Sequence, residues 1–257
     1  MYEQLNKFDD AKRLVASPAG IEFEKYPLKF VAPAYFGARP QAGTLATVNS
    51  GSASLLRLNG QTFALTCWHV MEGYRQRLSE GPCIFQLGDC ELDPLAQLKA
   101  EDKELDYSLI QLTEGQIDKI AKPTGPFDGT FFCDVAQWPP SDVKEGDFVA
   151  FGGFPGELRQ AESFDKLCFG SYSSGASRVT SARDDYLVCQ FEPEHWISHG
   201  LEPEPSTIRG MSGGPVFAIR YSEAGIMTYD FVGHITEFHE DFKLLYVRLV
   251  RVLPISN

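Results

Sequence analysis

From about residue 28 onward the chain changes character every eight to twelve residues, as short runs rich in Val, Ile, Leu and Phe give way to clusters of Gly, Pro, Asn and Ser. Such punctuation leaves little room for long helices and predicts an all-β sandwich or barrel. The clearest hairpin is Ser54–Leu58, then Asn59-Gly60, then Gln61–Thr66, because both centres of a type I′ turn require positive φ. Further strands are expected at 83–88, 94–99, 105–112, 146–153, 167–172, 186–191, 214–220 and 228–236. The spacing of Leu5, Phe8, Ala11, Leu14 and Val15 predicts a short helix over 3–16, and 114–121 reads as a helical turn or two. The run Leu244–Leu253 fits a last strand or a C-terminal helix, which periodicity alone does not separate. A Pro- and Gly-containing stretch from Lys122 to Pro140 divides the chain into halves with about six strand candidates each.

At 257 residues there is material for one large β domain or two small ones with real cores. The 35 Asp and Glu against 23 Lys and Arg give a net charge of −12, which repels polyanions, so neither nucleic acid nor an anionic membrane surface is an expected partner. The first residues show no basic stretch followed by an apolar run, and no segment reaches the roughly 18–20 apolar residues of a membrane helix, so the expected location is cytoplasmic. Six cysteines without a Cys-x-x-Cys pair read as free thiols rather than a disulfide framework.

Three segments carry chemistry. Phe63–Thr66, Cys67 and Trp68 form an apolar run ending in His69; Leu105-Asp106 opens a second run, Tyr107–Leu112; Gly210-Met211-Ser212-Gly213-Gly214-Pro215 is a serine in a glycine-rich turn before a strand. A serine hydroxyl becomes a nucleophile only when a base takes its proton, and the base needs a buried acceptor to fix its tautomer. Glycines before and after the serine let the backbone turn sharply, so that the Gly210 and Ser212 N–H groups converge as an oxyanion hole. The order His69, Asp106, Ser212 on an all-β background points to acyl transfer.

These segments resemble the catalytic motifs of the trypsin-like serine proteases, most nearly those of the disulfide-free bacterial members such as the HtrA-type protease domains. The resemblance implies two six-stranded antiparallel β-barrels with the site in the cleft between them. Residues 1–40 would be an N-terminal extension, 41–125 the first barrel with His69 and Asp106, 126–144 a linker, and 145–257 the second barrel with Ser212 and a C-terminal segment. It implies a serine endopeptidase acting on a protein or peptide, with no cofactor and no metal. Val149–Pro155 resembles the early strand and turn of the second barrel, and Phe231–Thr236 the strand that pairs with an extended substrate. Ser206, as pocket floor, together with Arg209, Gly233 and Thr236, would face the substrate. The extension leaves two roles open, a regulatory partner or simple packing over a barrel end. The departures are Trp68 before the histidine, and Met211 where zymogen-derived relatives carry an Asp that pairs with a newly cut N-terminus. With Met211 that activation route is closed. A neutral Ser206 argues against a Lys or Arg preference, while Glu192, Glu194, Glu202 and Glu204 crowd the same loop.

Gly210–Gly214 also fits the Gly-x-Ser-x-Gly pattern of α/β-hydrolases, but that fold needs a helix directly after the serine, and Gly-Gly-Pro resists one. His195 and His199, near Cys189, have the i, i+4 spacing of metal ligands but lack the accompanying Glu and are flanked by Pro193 and Gly200. The alternative from another class is a protease-like fold that binds a peptide or protein without cleaving it, for which Trp68 and Met211 leave room.

Overall fold

The computed structural model describes residues 13, 16–39, 48–121, 130–135, 140, 142–163, 165–191, 205–223 and 226–253. The helix expected over 3–16, the acidic loop with Glu192, Glu194, Glu202 and Glu204, and the pair His195 and His199 lie outside the described residues, Arg13 and Ala16 excepted. Helix α1 (Pro18–Lys25) begins where the Gly20 N–H donates to Ser17 Oγ at 3.1 Å and Pro18 supplies a pre-set φ. No helix among the described residues is long and apolar enough to cross a membrane.

The first half is an eight-stranded sheet: β1 (Val31–Gly37), β2 (Val48–Leu58), β3 (Gln61–Thr66), β4 (Ile84–Leu87), β5 (Cys90–Leu92), β6 (Leu98–Asp102), β7 (Tyr107–Gln111) and β8 (Cys133–Asp134). The order is β5-β4-β1-β2-β3-β7-β6, with β8 parallel to β2. Residues 31–37, assigned above to the N-terminal extension, are thus an inner strand. The Asn59-Gly60 turn has φ of 50° and 75°, as its hairpin type requires. Among the described residues β5 and β6 are not paired, so this half is an open, half-barrel sheet where a closed six-stranded barrel is expected. Asp93 Oδ1 accepts the N–H groups of Leu95 and Ala96 in a tight turn after the three-residue β5. Leu92, Leu98, Leu112, Ile117 and Ile120 join one apolar cluster with the sheet, so side chains rather than a backbone ladder cover this region. Helix α2 (Trp68–Glu80), absent from the sequence reading, buries Val70, Met71 and Tyr74 against the sheet. The helical turn expected at 114–121 is α3 (Glu114–Ile120), started by a Thr113–Gln116 capping box.

The second half is a closed six-stranded barrel. Its strands are β9 (Phe148–Gly153), β12 (Tyr172–Ala182), β13 (Tyr186–Gln190), β14 (Pro215–Tyr221), β15 (Met227–His239) and β16 (Leu244–Leu249), in the order β12-β13-β16-β15-β14-β9. A separate hairpin, β10 (Arg159–Ala161) with β11 (Leu167–Phe169), stands beside it. The C-terminal helix alternative is corrected: Leu244–Leu249 alternates half-buried and buried and pairs with both β13 and β15, and a single 3₁₀ turn, Val250–Val252, follows. A shared apolar cluster joins the halves, with Leu56, Leu58, Phe63, Leu65, Tyr107 and Leu109 meeting Phe217, Phe231 and Val250. Tyr26 and Phe30, just after α1, add rings to it, Tyr26 stacking on Tyr229 at 4.3 Å. All six cysteines are free thiols, of which Cys67, Cys90 and Cys189 are buried.

Candidate active site

β3 ends at Thr66, extended Cys67 caps α2, and His69 is the second residue of that helix. Its backbone N–H, a first-turn donor with no partner inside the helix, donates to Asp106 Oδ1 at 3.1 Å. The same carboxylate holds the ring: His69 Nδ1 lies 3.1 Å from Oδ1 and 2.9 Å from Oδ2. Asp106 stands just before β7 at φ 49°, a left-handed conformation that Asp tolerates better than most residues. Burial alone would raise the Asp106 carboxyl, but the His69 side-chain hydrogen bond, its charge and its backbone N–H together hold it below the usual value. An ionised carboxylate only accepts, so Nδ1 carries a proton, on a ring half exposed to solvent.

Ser212 lies in the turn between Ile208 and β14, where the carbonyls have fixed partners. Gly156 N–H donates to Arg209 O at 2.7 Å, Gly214 N–H to Met211 O at 2.8 Å and Ser52 N–H to Ser212 O at 2.8 Å. Ser52 Oγ donates to Gly210 O at 3.0 Å and Ser54 Oγ to Gly213 O at 2.7 Å. Of the amides, Met211 donates to Ile208 O and Gly213 to Ile235 O, at 3.1 and 2.7 Å. No acceptor takes the N–H of Gly210 or Ser212 among the described residues. Since N–H and C=O point oppositely across a trans peptide, tying back the carbonyls of Arg209 and Met211 turns these two N–H groups the other way. Gly210 adopts φ 97° and Gly213 φ 92° in this turn. Met211 is wholly buried in the barrel core.

His69, Asp106, Gly210 and Ser212 line one open cleft of about 380 Å³ with Ile208, Arg209, Ile235, Thr236, Glu237 and Phe238. Ser212 Oγ donates to Thr236 O at 3.4 Å, a long bond, and makes none to His69. Of the four expected substrate-facing residues, Arg209 and Thr236 line the cleft. Arg209 pairs with Glu240 at 3.1 Å. Ser206 does not line it: its hydroxyl donates to Glu157 at 2.9 Å. Gly233 lies in the barrel wall between Val216 and Leu249, where an added Cβ would fall 2.3 Å from Arg248 O. Trp68 is half-buried beneath the Lys103 ammonium, 5.3 Å from its ring.

Cys67, His69 and Asp106 place potential metal-binding atoms within 4.8 Å of one another. The His69–Asp106 contact is already a hydrogen bond, and the Cys67 thiol donates to Ile235 O at 3.2 Å. Burial, with the neighbouring Asp106 carboxylate, pushes the Cys67 thiol well up, so it is protonated and a poor ligand as it stands.

Sequence reasoning passed over Ser52 and Ser54, and read His234 only as a sheet or cleft-lining residue. The first two carried a signal, alternate hydroxyls on the inward face of an apolar strand. His234 is fully buried and bonds through Nε2 to Asp106 O at 3.1 Å, while its Nδ1 has no partner among the described residues. Burial pushes its pKa down from 6.5 to about 4, against the pull of Asp106; Arg248 and His69 oppose the charged ring further. The unfolded chain therefore binds a proton that the fold refuses between these values, and stability falls as pH drops from about 6.5 to about 4. The full effect is about 3 kcal/mol. In urea titrations His234→Asn should lose less stability than the parent between pH 7 and 4.5; parallel pH profiles would contradict this.

No protein-family profile matches the chain, and no curated protein matches it in sequence. Among solved structures it is similar to the Rv3671c protease from M. tuberculosis in its active form, with 14% identity over 92% of this chain and 81% of that one and a TM-score of 0.46. It is also similar to a catalytically inactive tobacco etch virus protease complexed with substrate, at 13% identity over 85% of this chain and 77% of that one, TM-score 0.43. A third is the thermostable serine protease AL20 from an extremophilic microorganism, at 11% identity over 86% and 91% of the two chains, TM-score 0.43.

Proposed function

We propose that this protein is a serine endopeptidase of the trypsin-like type, with Ser212 as nucleophile, His69 as general base and Asp106 holding the base. The observation that carries this reading is one cleft shared by a carboxylate-held histidine and a serine beside two amides that no acceptor takes among the described residues. In the first half-reaction Ser212 Oγ turns from Thr236 O and forms a bond to the peptide carbonyl carbon as His69 Nε2 takes its proton. The oxyanion accepts from the Gly210 and Ser212 N–H groups. Collapse breaks the C–N bond, His69 protonates the leaving amine, and water repeats the sequence on the acyl-enzyme. Residues of this chain suffice for each step.

A peptide substrate is favoured by β15. Its pairing with β14 ends at Pro215 and His234, yet it runs on to His239, so Thr236, Glu237 and Phe238 present a strand edge along the cleft. An extended backbone adds readily to such an edge. With Met211 packed in the core, the turn offers no carboxylate to a newly cut N-terminus, and that activation route is closed.

The missing hydrogen bond between Ser212 and His69 is what favours a non-cleaving peptide-binding module instead. Incubation with a peptide library separates the two. New peptide termini are expected with the wild type and none with Ser212→Ala; peptides retained uncut by the wild type would support the binding module.

A further inference from the structure

The turn that carries Ser212 belongs to the barrel, yet three of its six fixed carbonyls are held from the other half of the molecule, by β2. Ser52 supplies two of these bonds, N–H to Ser212 O at 2.8 Å and Oγ to Gly210 O at 3.0 Å. Its hydroxyl oxygen also accepts the Phe154 N–H at 3.0 Å, from the turn after β9. Its own carbonyl accepts Thr66 Oγ1 at 2.8 Å, one residue before the Cys67 that caps the His69 helix. Ser52 is completely buried, so water does not compete for these bonds.

We propose that Ser52 is a positioning residue for the nucleophile turn, its hydroxyl a clamp on the Gly210–Met211 peptide that joins the two oxyanion amides. The Gly210–Met211 peptide stands between the two free N–H groups. Gly210 carries no Cβ and sits at φ 97°, so little in its own backbone resists rotation of that peptide. Ser52 Oγ tethers its carbonyl, and because the same oxygen is held by Phe154 N–H, the hydroxyl cannot swing away without leaving that amide unpaired. The clamp reaches the turn from the strand preceding β3, whose end leads into the His69 helix. One residue thereby ties base and nucleophile, carried on different halves, to a common frame. This role rests on the reading of Gly210 and Ser212 as oxyanion donors.

The experiment compares wild type, Ser52→Ala and Ser52→Thr by two readouts. One is the second-order rate of labelling by an alkyl fluorophosphonate, whose P=O oxygen occupies the oxyanion position. The other is hydrogen exchange at the Met211 and Gly214 amides, which bond within the turn and need no activity to be read. Ser52→Ala should label roughly 10- to 100-fold more slowly, as expected for misaligned donors. It should also exchange faster at both amides, with the rest of the barrel still protected. Ser52→Thr, which keeps the hydroxyl, should recover most of the rate. Wild-type exchange at both amides in a folded Ser52→Ala overturns the clamp, as does wild-type labelling. If Ser52→Ala does not fold, Ser52→Thr decides, and loss of labelling and of protection despite its hydroxyl overturns the proposal. A wild type that fails to label refutes the protease reading alone, and the exchange data still decide on Ser52.

Discussion

Asp106→Asn is expected to lower kcat by roughly 10⁴, or about 5.5 kcal/mol in the barrier, while the fold and KM stay in place. The cause is a tautomer. Asp106 Oδ1 accepts the His69 backbone N–H at 3.1 Å, so an Asn at this position keeps its carbonyl oxygen there and places its NH₂ where Oδ2 stood, 2.9 Å from Nδ1. That NH₂ donates, Nδ1 must then accept, and the ring proton moves to Nε2, where the serine proton has to go. The helix-capping bond survives and the loss of one partly exposed charge at the α2 N-terminus costs little, about 0.3–1 kcal/mol. Steady-state kinetics with thermal melts read both halves. Near-normal turnover in a folded variant would mean that another acceptor orients His69.

Gly213→Ala is expected to destabilise the protein by about 4 kcal/mol, a large part of a typical domain's stability. An added Cβ would lie 2.1 Å from Ser52 O and 2.7 Å from Thr66 Oγ1, in a backbone at φ 92° that disfavours any side chain. The obstruction is β2 backbone and cannot move without giving up the bonds from Ser52 to the nucleophile turn, so activity should fall with stability. Gly115→Ala is the control, since its Cβ meets nothing within 4 Å. A cost below about 1 kcal/mol for Gly213→Ala would show that the halves meet less closely than described.

How much of this was legible in the sequence follows from what each feature depends on. The Asn59-Gly60 hairpin was readable because a type I′ turn is chosen by two adjacent residues. The Gly213-Gly214-Pro215 turn was readable as special, but its cause was not: Gly213 is required by Ser52, 161 positions away in the chain. Leu244–Leu249 stayed ambiguous because its periodicity is short; pairing with Tyr186–Gln190 made it a strand. Helix α2 is not legible, though Val70, Met71 and Tyr74 have helical spacing, because only these three of its 13 residues are buried and the apolar stripe is thin. Among the described residues β5 and β6 are joined by a turn at Asp93 and an apolar cluster rather than by a ladder, which strand counting does not register.

Of the proposed site, His69, Asp106 and Ser212 were found from the chemistry that each must do, and they meet in one cleft with Gly210. Ser206 and Gly233 were carried by counting from a motif, and they fall on Glu157 and in the barrel wall instead. Ser52 bonds to the backbone of a distant turn, which no motif marks, and His234 falls within the Phe231–Thr236 run without that run revealing its bond to Asp106 O.

The most direct measurement is intact-mass analysis after an alkyl fluorophosphonate is added to the wild type, with the adduct mapped by peptide sequencing. A single phosphonyl group on Ser212, absent in Ser212→Ala, is the predicted result. A folded wild type that stays unmodified, or carries the group on another residue, would contradict the assignment of Ser212 as an activated nucleophile.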